Sequence, residues 1–226
     1  AVLDIHRQYV AAGSDIVECN SFGGTRYKLK HYGLESRAAE INRAAATLAR
    51  QAAGAGRHVL GSAGPTGEFM EPYGTETEEA FREAFKQQMI ALEAGGADMV
   101  IVETMTALEE ACAAIRAAKQ HTKLTVVASF TFDPQANGGY ATMMGVTPEK
   151  MAEGVLEAGA DIVGTNCGTG PDHMIEIVKR LKSAAAGKPI MAMPNAGMPV
   201  LENGKTVFKE TPEEMGRKAP LLVEAG

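Results

Sequence analysis

Tryptophan is absent from this 226-residue chain, and cysteine is scarce, with three in all. Cys19, Cys112 and Cys167 form an odd set without short spacing, which argues against a disulfide framework and suits a reducing cytoplasm. No apolar stretch approaches the roughly 20 residues needed to span a bilayer, and no signal peptide is visible, so no membrane association is expected. Positive charge is in deficit as well: 22 Lys and Arg against 28 Asp and Glu leave a net charge of -6. A nucleic-acid surface needs clustered Lys and Arg, so no nucleic-acid partner is expected. The remaining composition, 45% hydrophobic and 22% charged, is that of an ordinary soluble protein long enough to bury a sizeable core.

What is present is a repeated plan. Ser14-Asp15-Ile-Val-Glu-Cys-Asn20, Ala97-Asp98-Met-Val-Ile-Val-Glu103-Thr104 and Asp161-Ile-Val-Gly-Thr-Asn-Cys167 each run from an aspartate through apolar residues to a polar group. Six apolar β-branched runs, at 15–19, 58–62, 98–102, 124–130, 161–165 and 189–193, have the continuous character of strands buried on both faces. Helical patterns alternate with them at 36–53, 76–95, 107–119, 148–158, 171–185 and 212–225, and the chain opens in another at 1–10. Thr147-Pro148-Glu149 and Thr211-Pro212-Glu213 place a capping residue before proline at the first helical position. The fold class is therefore α/β with a parallel sheet.

Leu92-Glu-Ala-Gly-Gly96 and Leu156-Glu-Ala-Gly159 end helices with a glycine cap and lead at once into a strand, and Val223-Glu-Ala-Gly226 ends in the same way. Six runs plus one strand owed at each end make eight, so residues 1–226 read as a single (β/α)8 TIM barrel domain whose first and last strands lie outside the chain. A doubly wound open sheet is the alternative, but it leaves the last glycine cap without a purpose. Loops at 61–74, 133–145 and 195–209 follow strand ends, where such barrels build their active sites.

The chemistry-bearing residues sit at those ends. Cys167 follows a strand and precedes Gly-Thr-Gly and a helix opening at Pro171-Asp172, a setting that lowers a thiol pKa. Nucleophile, metal ligand and buried small residue are all open for it. A nucleophile needs a base, and of the five histidines only His173 is close in sequence, on the helix leaving the site. Glu103 is carried to a strand end by Met99-Val-Ile-Val102, so it must be paired, solvated or bound to something cationic. Alternation turns Glu18 away from the mouth, and Cys19 reads as packing. Gly61-Ser-Ala-Gly-Pro-Thr-Gly67 lacks the Gly-Lys-Ser/Thr ending of a phosphate cradle and reads as a tight turn. Pro194-Asn-Ala-Gly presents Asn195 and backbone amides at the mouth, and the methionines at 143, 144, 191, 193 and 198 read as core.

Several stretches, in order along nearly the whole chain, resemble the homocysteine S-methyltransferase family, and within it the homocysteine-binding module of cobalamin-dependent methionine synthases. They are Asp15-Ile-Val-Glu-Cys-Asn-Ser-Phe22, Glu40-Ile-Asn-Arg-Ala-Ala45, Gly61-Ser-Ala-Gly-Pro-Thr66, Val102-Glu-Thr104, Gly164-Thr-Asn-Cys-Gly168, Gly170-Pro-Asp172, Pro194-Asn-Ala-Gly-Met-Pro199 and Glu210-Thr-Pro-Glu-Glu-Met215. The resemblance implies a (β/α)8 barrel that binds zinc through three cysteine thiolates. Cys167 matches the first, and the other two belong to a Gly-Gly-Cys-Cys motif that would start just beyond Gly226. It implies that Glu103 pairs with the substrate's ammonium group, with Asn195 as a second substrate-binding residue. It also implies methyl transfer to homocysteine, giving methionine, from a corrinoid and methyltetrahydrofolate system with methylcobalamin as donor. Betaine or S-methylmethionine as donor, or a zinc-free relic without activity, remain the alternatives.

Overall fold

The computed structural model describes residues 1–136 and 138–226; Asn137, inside the loop read over 133–145, lies outside them. Helix α1 (Val2–Ala11) leads into strand β1 (Ile16–Glu18), followed by α2 (Arg26–Lys30), a 3-10 turn at Glu35–Arg37 and α3 (Ala38–Ala53). Then come β2 (His58–Ala63), α4 (Glu78–Ala94), β3 (Met99–Met105), α5 (Leu108–His121) and β4 (Thr125–Phe130). A short antiparallel pair, β5 (Asp133–Pro134) with β6 (Tyr140–Ala141), precedes α6 (Pro148–Glu157), β7 (Ile162–Asn166), α7 (Pro171–Ala184) and β8 (Ile190–Met193). A hairpin of β9 (Pro199–Glu202) and β10 (Lys205–Phe208) and helix α8 (Pro212–Ala225) complete the order.

The six expected strands pair in chain order, β1-β2-β3-β4-β7-β8, all parallel. A doubly wound sheet reverses its strand order partway; this one never does. With a helix between successive strands it is the curled arrangement of a partial (β/α)8 barrel. Two loops contain more structure than the sequence indicated: 133–145 holds β5 and β6, and 195–209 holds the β9–β10 hairpin. The second was legible, because Glu202-Asn203-Gly204-Lys205 places Asn-Gly between short runs with a β-branched residue in each. Helix starts follow their caps: the side chains of Thr77, Thr147 and Thr211 each accept a backbone N–H from the first turn, and Thr211 forms a full capping box with Glu214.

The core has two parts. The larger lies between sheet and helices and contains Phe81, Phe85, Met89 and Leu92 of α4 and Ile115 of α5. The alanines of α5 (Ala111, Ala113, Ala114, Ala117 and Ala118) are all buried, so that helix sits close against its neighbours. The smaller part fills the inside of the curl, where Leu60, Ile101 and Val127 are packed by Ile16, Met99, Ile162, Met191 and Met193. Met143 and Met198, read as core, are instead 76% and 57% exposed, because they sit on loops at strand ends.

The repeated aspartate explains itself at the opposite, N-terminal end of the sheet. Asp98 Oδ2 accepts the N–H of Val59 at 2.8 Å on the preceding strand and binds the Arg50 guanidinium. Asp161 repeats this with the N–H of Val126 at 2.8 Å and with Lys119 at 2.9 Å. Each carboxylate thus satisfies a strand-initial amide that the parallel ladder leaves free. We expect Asp98→Ala to lower the unfolding free energy by about 1–3 kcal/mol, because Val59 is fully buried and its N–H would lose its acceptor. Chemical denaturation measures this, and an unchanged midpoint would show that the contact is dispensable.

Candidate active site

A strand alternates its faces, so the residue two places beyond an inward apolar residue also points inward. Glu18 stands two beyond Ile16, Ser62 two beyond Leu60, Glu103 two beyond Ile101, and Ser129 two beyond Val127. Asn166 occupies the same level on β7, two beyond Gly164. The inside of the curl therefore has an apolar floor and, above it, a polar layer at the C-terminal strand ends. Glu18 faces inward as well, contrary to the sequence expectation that it turns away, and stands in register with Leu60 of the floor; Cys19 is the residue that turns outward, into the core between sheet and helices. Ile16 decides the phase, since its inward position fixes that of Glu18.

Asn166 joins the strand ends. Its Oδ1 accepts the Ser129 hydroxyl at 2.7 Å and the Thr104 N–H at 3.0 Å. Its Nδ2 donates to Thr104 Oγ1 at 2.8 Å, to Glu103 Oε2 at 3.3 Å and toward Cys167 Sγ at 3.4 Å. The two residues it reaches for are both left-handed: Thr104 has φ 58 and Cys167 φ 57. A β-branched residue there is strained, at a cost on the order of 1–3 kcal/mol. In β3 the strain coincides with a register shift between Val102 and Met105, a bulge that releases Glu103 and Thr104 from regular pairing.

Glu103 is buried, and neutral donors hold its carboxylate: the Ser62 hydroxyl on Oε1 and Asn166 on Oε2. Ser62 is itself fixed, accepting the Ser21 hydroxyl on its carbonyl at 2.8 Å and donating its N–H to Ser21 Oγ at 3.0 Å. Glu18 lies against Glu103, and its pKa rises from 4.5 to about 7, first through burial and then through the charge and hydrogen bond of Glu103. The turn after β2 is clamped by another buried carboxylate. Glu110 Oε1 accepts both the N–H and the hydroxyl of Thr66 at 2.7 Å, and burial pushes its pKa up despite them.

Cys167 is exposed at the end of β7, its N–H bonded to Met193 O at 3.3 Å, while Cys19 and Cys112 are buried. His173 gives it no base; its Nδ1 is 3.0 Å from the Tyr140 hydroxyl. Asn195 is half-buried on the loop after β8, where its N–H donates to Thr169 O at 3.2 Å. Among the described residues its side chain has no hydrogen bond to Glu103 or Cys167. Nor do three His, Cys, Asp or Glu side chains converge on a metal-binding point among the described residues. A zinc site requires three protein ligands and an exchangeable position, so these residues fit one corner of such a site rather than a whole one.

Sequence reading singled out Glu103, Cys167 and Asn195 but not Ser62, Ser129 and Asn166, and it turned Glu18 away from the inside of the curl, where the structure places it. The signal for all four was the two-residue offset from an inward apolar side chain. A carboxyl pKa raised on folding means that the folded state binds more protons between pH 4.5 and about 7, so stability falls as pH rises through that window. We expect the protein to lose more unfolding free energy between pH 5 and pH 8 than Glu18→Gln does. Superimposable pH profiles in chemical denaturation would refute the burial of this carboxyl.

The homocysteine S-methyltransferase family model matches residues 1–226. Methionine synthase of Mycobacterium tuberculosis is 31% identical over 234 residues, covering 98% of this chain and 19% of that protein. Methionine synthase of Mycobacterium leprae is 32% identical with the same coverage. The chain thus spans about a fifth of the length of these relatives. The homocysteine methyltransferase MmuM of Escherichia coli, in its metallated form, superposes with a TM-score of 0.77 at 20% identity, over 99% of this chain and 76% of that one, which establishes likeness of fold. The chain belongs to the homocysteine S-methyltransferase family.

Proposed function

We propose that this chain is the homocysteine-binding barrel domain of a methyltransferase that converts homocysteine to methionine. The observation that carries the reading is a buried carboxylate, Glu103, held by neutral donors beside an exposed thiol, Cys167, at the C-terminal end of a curled parallel sheet. In the transfer, the substrate sulfur forms a bond to the methyl carbon while the donor–methyl bond breaks and its electron pair stays with the donor. What these residues contribute is position and charge. Glu103 offers an anion to the substrate's ammonium group, and Asn166 and Ser62 fix where that anion points. Asn195, half-buried on the loop after β8, is proposed as a second substrate-binding residue.

Cys167 is proposed as one thiolate ligand of a zinc ion whose remaining ligands come from outside these 226 residues. Zinc, when bound, stabilises a coordinated thiol as thiolate at neutral pH. Methylcobalamin, supplied by a corrinoid and methyltetrahydrofolate module, is the proposed donor. Supporting it are the likeness of residues 194–215 to the methionine synthase type and relatives of that name about five times longer. Free thiols at Cys19, Cys112 and Cys167 support a cytoplasmic setting. No described helix is long and apolar enough to cross a membrane.

In the full-length protein, Cys167→Ala is expected to abolish zinc retention, read by elemental analysis, and methyl transfer, with circular dichroism unchanged. Full zinc content and turnover in that variant would refute the ligand assignment. Glu103→Gln is expected to weaken homocysteine binding by about 10- to 100-fold, the worth of a hydrogen bond to a charged group, while zinc content is preserved. Parallel loss of both would make the carboxylate structural.

A further inference from the structure

One polar side chain interrupts the buried face of helix α4. Phe81, Phe85, Met89 and Leu92 are apolar, as a core-facing stripe requires, but Gln88 among them is an amide with no exposed surface. Its Nε2 donates to Ser21 O at 2.9 Å, to Asn42 Oδ1 at 3.1 Å and to Ser62 O at 3.3 Å. All three partners are acceptors, so the nitrogen must occupy that end of the amide. Its two protons are shared among three oxygens, while Oε1 has no hydrogen-bond partner among the described residues. An amide so incompletely satisfied stabilises a core less than an apolar side chain of the same size. Its use lies in what it holds, and that is Ser62.

Strand β1 stops at Glu18, and its ladder with β2 closes where the Cys19 N–H donates to Leu60 O at 2.8 Å. The N–H and C=O of Ser62, next along the same edge, have no strand beside them. Ser21 takes the place of a strand: its hydroxyl accepts the Ser62 N–H at 3.0 Å and donates to Ser62 O at 2.8 Å. Gln88 then ties the carbonyls of Ser21 and Ser62 through one nitrogen, which fixes the loop after β1 against the end of β2. Asn42 of α3 holds the far side, its Nδ2 donating to Gly24 O at 2.7 Å and to Ala38 O at 2.8 Å. With both of those protons committed, its Oδ1 is the atom that meets Gln88. On the inner face of the sheet the Ser62 hydroxyl donates to Glu103 Oε1. We propose that Gln88 is a positioning residue: through Ser21 and Ser62 it fixes where the Glu103 carboxylate stands, and so sets the affinity for the ammonium group of the amino-acid substrate. This inference rests on Glu103 as the ammonium site.

Gln88→Met keeps the volume and removes both donors. In calorimetric titration of the full-length protein, it is expected to raise the dissociation constant of homocysteine roughly 3- to 10-fold, a fraction of the loss expected for Glu103→Gln. Zinc content is expected to be full. The affinity for 4-sulfanylbutanoate, which is homocysteine without its amino group, is expected to stay within about twofold of the parent, because that ligand makes no use of the carboxylate. In a Ser62→Ala background, Gln88→Met is expected to add nothing, since the path to Glu103 is already cut. A glutamine that only supports the fold would weaken both ligands alike, or its loss would add to that of Ser62→Ala. Either result overturns the proposal, as does parental homocysteine affinity in Gln88→Met. Should Gln88→Met fail to fold, Gly24→Ala makes the same test from the opposite side. A Cβ there would lie 2.7 Å from Gln88 Nε2 and 2.8 Å from Ser21 O, so the added methyl displaces the amide. The same homocysteine-specific loss is expected, and parental affinity overturns the proposal. Parental homocysteine affinity in Glu103→Gln would sink the ammonium site itself, whereas a loss there beside parental affinity in Gln88→Met sinks only the role of Gln88.

Discussion

One carboxamide, that of Asn166, connects the ends of three neighbouring strands. It takes a hydroxyl proton from β4 and a backbone proton from β3, and it gives protons to Glu103, to the Thr104 hydroxyl and toward the sulfur of Cys167. Such a group is satisfied only when every partner is in place, so it converts a loose set of strand ends into a fixed constellation. The left-handed backbone at Thr104 and Cys167 is tolerable in the same terms, because two hydrogen bonds to Thr104 offset its strain. Removing the amide would free the strain and leave a buried carboxylate half-bound. Neither the thiol nor the carboxylate can be understood apart from it.

The architecture was legible from the sequence because its signals are repetitive. Six buried runs, caps of the Thr-Pro-Glu kind and glycine-ended helices agree with one another, and strand pairing in chain order follows from them. Glu103 and Cys167 stood out for similar reasons, as lone polar groups ending apolar runs. What resisted reading was side-chain phase. A run such as Asp15-Ile-Val-Glu-Cys-Asn20 is apolar enough to hide which residues face inward, and the inward position of Glu18 follows only once Ile16 is placed against Leu60 and Ile101. Ser62 and Ser129 are small and common, so composition gives them no prominence; their meaning comes from the neighbours opposite. Asn195 stands apart from the cluster, on a loop whose length loosens its relation to the strand ends.

Polar groups in this protein are sorted by depth along the strands. Near the strand starts, Asp98 and Asp161 tie amides and basic side chains together in half-exposed positions. Near the strand ends, Glu18 and Glu103 face inward without an ion pair among the described residues, and burial raises the pKa of Glu18. The same functional group, a carboxylate, is therefore a fastener beside a basic side chain at one end and an inward-facing acid at the other. An apolar floor of Leu60, Ile101 and Val127 keeps the two apart.

The separation across that floor has a consequence for how the domain can change over generations. Loops on the C-terminal rim are free to lengthen, shorten or acquire new side chains without disturbing the carboxylate fasteners on the far side. New ligands can thus be accommodated by remodelling one pole while the other goes on holding the scaffold together.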